Sequence, residues 1–182
     1  MGKGLTMGRI VTLLIVVTSL IGGAVLYYLQ VYAYYIQLPP EAVADLRLTL
    51  ADGTEIPVKA SDFKGIDAES SPIRYRACFT PQGLPPVADL APYPAADPLN
   101  APMWFMCYNA AEIGAALEDG TAKAILGQKD VHYGIDRVVA LMPDGRALAW
   151  HQINPCGMAV FDGQPAPEGC PPPPPRPAAT GN

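Results

Sequence analysis

The side chains with the widest chemical reach are four cysteines, Cys78, Cys107, Cys156 and Cys170, and two histidines, His132 and His151. Met103, Met106 and Cys107 bring soft donors close together in sequence, and thioether, thiolate and imidazole together point to copper. Met103, Met106, His132 and His151 are thus the candidate metal ligands. Against that reading, a strand through 103–108 sends Met103 and Met106 to opposite faces, and methionines beside Trp104 and Phe105 ordinarily fill a core. His151, in line with Ala147, Ala149 and Ile153, reads as a core histidine satisfied by its neighbours, and His132 reads as loop. No Cys-x-x-Cys pair occurs, which removes the main signal for thioredoxin-like exchange and compact zinc sites.

Arg74 and Arg76 alternate with Cys78, a pattern able to hold an anion or depress a thiol pKa. The plainer reading, adopted here, is a solvated strand face with Cys78 in a disulfide. Ser70 or Ser71 could join a histidine and an aspartate in a hydrolase, but neither a Gly-x-Ser-x-Gly context nor a phosphate-cradling glycine loop is present. The expectation is no catalytic residue, no cofactor and no enzyme.

What positions these residues is first an apolar run, Ile10 to Ile36. Ile10–Tyr28 holds nineteen residues without a charge, and the uncharged stretch continues to Pro40. A helix over 10–36 would be about 40 Å long, against a hydrocarbon core of roughly 30 Å. Lys3 and Arg9 precede the run, whereas Glu41 and Asp45 follow it before Arg47. The positive-inside bias makes residues 1–9 cytoplasmic and places everything after about residue 38 outside. Tyr27, Tyr28, Tyr32, Tyr34 and Tyr35 form an interfacial belt at the outer end, and Thr18, Ser19, Gly22 and Gly23 form two small-xxx-small pairs. The alternative is a signal peptide cleaved after Ala24, yet the run outlasts the usual core of roughly 7–15 residues. An uncleaved anchor over 10–36 is the better reading.

About 145 residues follow, enough for one domain with its own core. All seventeen acids lie beyond residue 40 with ten of the twelve bases, a formal net charge of −7. Such a surface excludes nucleic acid and favours a basic partner surface over an acidic one. Four cysteines on the outer side of a membrane predict two disulfides. Three connectivities exist. Cys78 with Cys107 and Cys156 with Cys170 is favoured, because it closes loops of about 30 and 15 residues, each stabilising by very roughly 3 kcal/mol.

The spacing of apolar residues predicts an α+β domain over 38–170 with a mostly antiparallel sheet and one or two short helices. Leu46, Leu48 and Leu50 alternate up to an Asp52-Gly53 turn, and Ile56 and Val58 return, with Pro57 marking an edge. Residues 61–71 read as loop and 72–79 as strand. Residues 80–102 hold seven prolines and no apolar period, an extended excursion suited to meeting a partner. Residues 103–108 read as a buried strand, Asn109 caps a helix closed by Gly120, and 121–126 fits either helix or strand. Ile135–Met142 and Arg146–Ile153 flank Pro143-Asp144-Gly145 in the clearest hairpin, its first arm apolar on both faces and therefore central. Asn154-Pro155-Cys156-Gly157 ends it, 163–170 is loop, and 171–182, with five consecutive prolines, is an extended or disordered tail.

An anchor ending in Tyr28-Leu29-Gln30-Val31-Tyr32, the run Ser70-Ser71-Pro72-Ile73-Arg74-Tyr75-Arg76-Ala77-Cys78-Phe79, and Tyr133-Gly134-Ile135-Asp136-Arg137 leading to Pro143-Asp144-Gly145-Arg146 and Trp150-His151-Gln152-Ile153-Asn154 are shared features. Through them, from the anchor to about Cys170, the chain resembles an uncharacterised family of small membrane-anchored proteins of marine and phototrophic alphaproteobacteria. The resemblance implies a single-pass protein of the bacterial inner membrane with a periplasmic domain. It implies no activity and no site residue. The expectation is a non-enzymatic accessory or assembly protein that binds the lipid bilayer and a larger membrane complex, through its anchor and residues 80–102. The alternative is a copper-binding or redox helper in periplasmic maturation.

Overall fold

The computed structural model describes residues 6–175, so Lys3 of the basic flank and positions 176–182 of the tail lie outside the described residues. The chain divides into two units, Met1–Ile36 and Gln37–Asn182. In the first, helix α1 (Met7–Tyr28) continues into a π-helical turn over Leu29–Ala33. The 27 residues Met7–Ala33 are long and apolar enough to cross a membrane. None of the side chains of α1 is buried, and Thr12 and Thr18 donate their hydroxyls back to the carbonyls of Gly8 and Leu14, so neither is left unpaired in an apolar medium. The helix stops short of the expected Ile36. Leu38 and Pro39 each precede a proline and are driven to extended backbone, so the turn at Tyr34 ends the helix and Ile36–Leu38 becomes strand β1.

The second unit is α+β. After a 3-10 turn over Pro40–Asp45 come the hairpin β2 (Arg47–Thr49) and β3 (Glu55–Pro57), then β4 (Lys59–Asp67), β5 (Arg76–Gln82), helix α2 (Ala110–Glu118), β6 (Lys123–His132), β7 (Ile135–Leu141), β8 (Ala147–Ile153) and helix α3 (Pro155–Phe161). Six strands form one sheet in the order β1-β4-β5-β8-β7-β6, antiparallel from β4 to β6. By register Ala77, Ala149 and Val139 share one face, and Leu46, Leu48, Val58 and Leu90 pack with them in the main core. Cys78, Leu148 and Ala140 share the other face and are also buried. A strand covered on both sides must be apolar throughout, as β7 and β8 are.

Four segments differ from their sequence reading. Residues 61–71, expected as loop, begin with most of β4; its outward residues are polar, and a bulge between Ser61 and Lys64, with Asp62 at φ 56°, breaks the period of two. Residues 103–108, expected as a strand, form two tight turns, Phe105 N–H to the Pro102 carbonyl and Tyr108 N–H to that of Phe105. Only Phe105 and Tyr108 are buried there, so the dense apolar run does not mark a core strand. The strand expected over 72–79 starts later, at Arg76, because Arg74 N–H closes a turn on Ser71. The segment at Asn154 opens α3, with Asn154 Oδ1 accepting from Gly157 N–H at 3.0 Å and Pro155 in the first turn. Asn109 likewise caps α2, accepting from the N–H groups of Ala111 and Glu112. Residues 121–126 resolve as strand.

Cys78 bonds Cys107 and Cys156 bonds Cys170, the pairing favoured from loop length. The first ties β5 to the base of the proline-rich segment. The second ties α3 to the start of the tail. Reducing either bridge, or replacing Cys156 and Cys170 together by alanine, is expected to lower stability by about 3 kcal/mol in urea melts, and a non-reduced peptide digest should show both cross-links and no free thiol. A second prediction concerns Gly157, where an added Cβ would lie 2.2 Å from the Gly134 carbonyl oxygen and would have only backbone to displace. Gly157→Ala should cost about 1–3 kcal/mol in the same melts.

Candidate functional site

Two concave surfaces deserve comparison. The first, a cavity of about 360 Å³, gathers both histidines with Arg47, Arg137, Asp45 and Asp67. His151 sits on β8, where Arg137 of β7 is its register partner, and it is only 2% exposed. Its Nδ1 lies 2.7 Å from the Pro72 carbonyl, which can only accept, so Nδ1 carries the proton. Nε2 then offers its lone pair to Arg137 Nε–H at 3.1 Å. Tyr75 stacks on the imidazole with centroids 4.5 Å apart, and the Arg137 guanidinium lies 4.4 Å over the Tyr75 ring. Burial, and next the Arg137 charge, push the His151 pKa down to about 3, so the ring is neutral under ordinary conditions. Asp67 shifts the other way, burial raising its pKa against the pull of its Ala68 N–H bond and of Arg137.

The metal candidates do not converge. His132 approaches His151, with ring centroids 6.4 Å apart, but both His151 nitrogens are occupied by protein partners and leave no lone pair for an ion. Met103 and Met106 are exposed on a turn rather than packed in a core, and Met106 lines a different cavity, beside Leu38 and Phe63. Cys107 is consumed by its disulfide. Neither Ser70 nor Ser71 lines the histidine cavity, so the hydrolase geometry is not assembled there.

Arg76 is not on a solvated face. It is 4% exposed and donates to the carbonyls of Ile73, Tyr75, Leu99 and Asn100 at 2.6–3.0 Å, which satisfies the guanidinium and fastens the end of the proline-rich segment to β5. Sequence reasoning passed over Asp136 and Asn154, the polar residues at the centre of the fold. Their only signal was Asn154 before Pro155, a helix-start pattern.

The second surface is a groove of about 670 Å³ between the proline-rich segment and α2, walled by Pro92, Tyr93, Pro94 and Pro98 on one side and by Gly114 and Leu117 on the other. The excursion is extended, as expected, and it is fastened to the domain. Leu90 is buried, and Ala91 and Tyr93 exchange backbone hydrogen bonds with Thr49, Leu126 and Ala124. Gln152 donates to the Ala95 carbonyl at 2.6 Å and accepts from Asp97 N–H at 2.8 Å. Prolines cannot donate, so these few anchors fix a wall whose remaining carbonyls face outward. Asp97, Glu118 and Lys123 supply its charges.

The histidine cavity predicts a pH effect. His151 has a folded pKa below its unfolded value, so the unfolded chain binds more protons between them. Its contribution to stability is complete above about pH 6.5 and is lost as pH falls toward 3. Urea midpoints of wild type and His151→Gln should therefore converge as pH drops through this window, and a constant gap would contradict the assignment.

No curated protein and no solved structure matches the chain. One family model does, over residues 46–171, a span that begins after the apolar helix and ends one residue beyond Cys170. By that match across most of its length, the chain belongs to the family of unknown function DUF6446.

Proposed function

We propose that this protein is a non-enzymatic accessory or assembly subunit of the bacterial inner membrane, its N-terminus cytoplasmic and its disulfide-closed domain periplasmic. The anchor and the groove along residues 80–102 dock a larger membrane complex. The observation that carries the reading is the pre-formed groove: its proline wall is already immobilised, so a partner segment entering it does not have to order that wall. Acidic excess in the domain favours a partner segment carrying lysine or arginine. Two disulfides accord with an oxidising compartment. The copper or redox alternative gains no support, because the soft donors lie apart and the cysteines are paired.

Gly114 provides the test. A Cβ there would meet only Pro98 Cγ, at 3.8 Å, so alanine fits and removes the entropic cost of a mid-helix glycine. Gly114→Ala should raise stability by about 0.5–1 kcal/mol and keep partner recovery after crosslinking and affinity purification from native membranes. Gly114→Leu fills the groove and should lower that recovery several-fold. Recovery of wild type only as a free monomer, or equal recovery with Gly114→Leu, would refute groove docking.

A further inference from the structure

The turns at 103–108 invert the usual order of a core segment. Phe105 and Tyr108 are buried and Cys107 is bonded to β5, so the segment is held firmly, yet Met103 and Met106 are 81% and 86% exposed. Among the described residues outside α1, no other large apolar side chain is as exposed; Met158 comes next at 59%. Trp104, stacked edge-on against Phe105, stands between them. An amphipathic indole flanked by two flexible thioethers is an unusual thing to fix rigidly in water.

Chain connectivity says what covers it. Trp104 and Met106 line one cavity of about 300 Å³ with Leu38, Phe63 and Lys64. Leu38 follows Ala33, the end of the spanning segment, by five residues, a tether of at most about 17 Å. This is the part of the domain that cannot leave the bilayer surface. Lys64 adds an ammonium group beside the apolar side chains, where headgroup phosphates lie.

We infer that the Met103–Met106 turn is a second membrane contact, seating Met103, Trp104 and Met106 in the interfacial layer of the bilayer that the anchor crosses. The inference rests on reading Met7–Ala33 as a span. Its consequence for the proposed docking role is that the domain is held by two points, the tether and the turn, and so presents its groove in a restricted orientation.

The protein has two tryptophans, and Trp150 is fully buried, so Trp104 is the natural reporter. The full chain is reconstituted into phosphatidylcholine–phosphatidylglycerol liposomes, with or without lipids brominated high on the acyl chain. Brominated lipid should quench the exposed-tryptophan emission by about twofold, as expected for an indole at the interface. Trp104→Phe should abolish the quenching, and the double variant Met103→Ser, Met106→Ser should relieve it while increasing quenching by aqueous acrylamide. Protein that floats with the liposomes but is not quenched overturns this inference alone, including the case in which Trp104 is shielded from acrylamide by a protein neighbour. Quenching that survives Trp104→Phe overturns it too. Failure to float overturns the span and this inference together.

Discussion

The buried carboxylate of Asp136 is the constraint on which the domain depends. It is 5% exposed, and a charge taken out of water is tolerable only if its oxygens are supplied with donors. Oδ1 accepts from the Asp130 N–H and from Asn154 Nδ2, each at 2.9 Å, and Oδ2 accepts from the Tyr93 hydroxyl at 3.2 Å. Those donors come from the β6–β7 turn, the cap of α3 and the proline-rich segment, so the carboxylate joins parts distant in sequence. Burial, and then the Asp136 charge itself, raise the Tyr93 pKa, which keeps its hydroxyl a donor. Asn154 extends the junction by donating also to Asp130 and by capping α3. The close approach of Gly134 and Gly157 lets the turn and helix come near enough for these bonds to form.

Two arginines do comparable work on opposite faces of the sheet. Arg76 gathers carbonyls from two ends of the proline-rich excursion, and Arg137 joins β7 to His151 and to the Asp45 carbonyl ahead of the hairpin. In each case a planar, multidentate donor meets fixed acceptors, a role a lysine would not fill in the same geometry. The histidine cavity is a by-product of this bracing. Its histidine is neutral because a neighbouring guanidinium and burial make it so, and that same guanidinium occupies the nitrogen a metal would need.

With its polar interior committed to structure, the domain's reach toward other molecules lies on its surface. The proline wall and the Met103–Met106 turn both leave the sheet through segments fastened at their bases, by Arg76 and by the Cys78–Cys107 bridge. Rigidity at these places is the property that an irregular segment needs if it is to present a defined shape.

Much of this was written in local sequence. The uncharged run, the Asp52-Gly53 and Pro143-Asp144-Gly145 hairpins, the Asn109 cap and the cysteine pairing all follow from short-range rules of hydropathy, turn geometry and loop closure. What local rules could not reach was decided by packing between distant segments. β4 looked like loop because a bulge hid its alternation, and the 103–108 turn looked like core because hydropathy does not record which side chains a disulfide and two tight turns leave outside. The buried state of Asp136, Arg76 and His151 lay beyond sequence for the same reason. Each is satisfied by backbone groups from segments far along the chain, and only the tertiary fold brings those groups within hydrogen-bond distance.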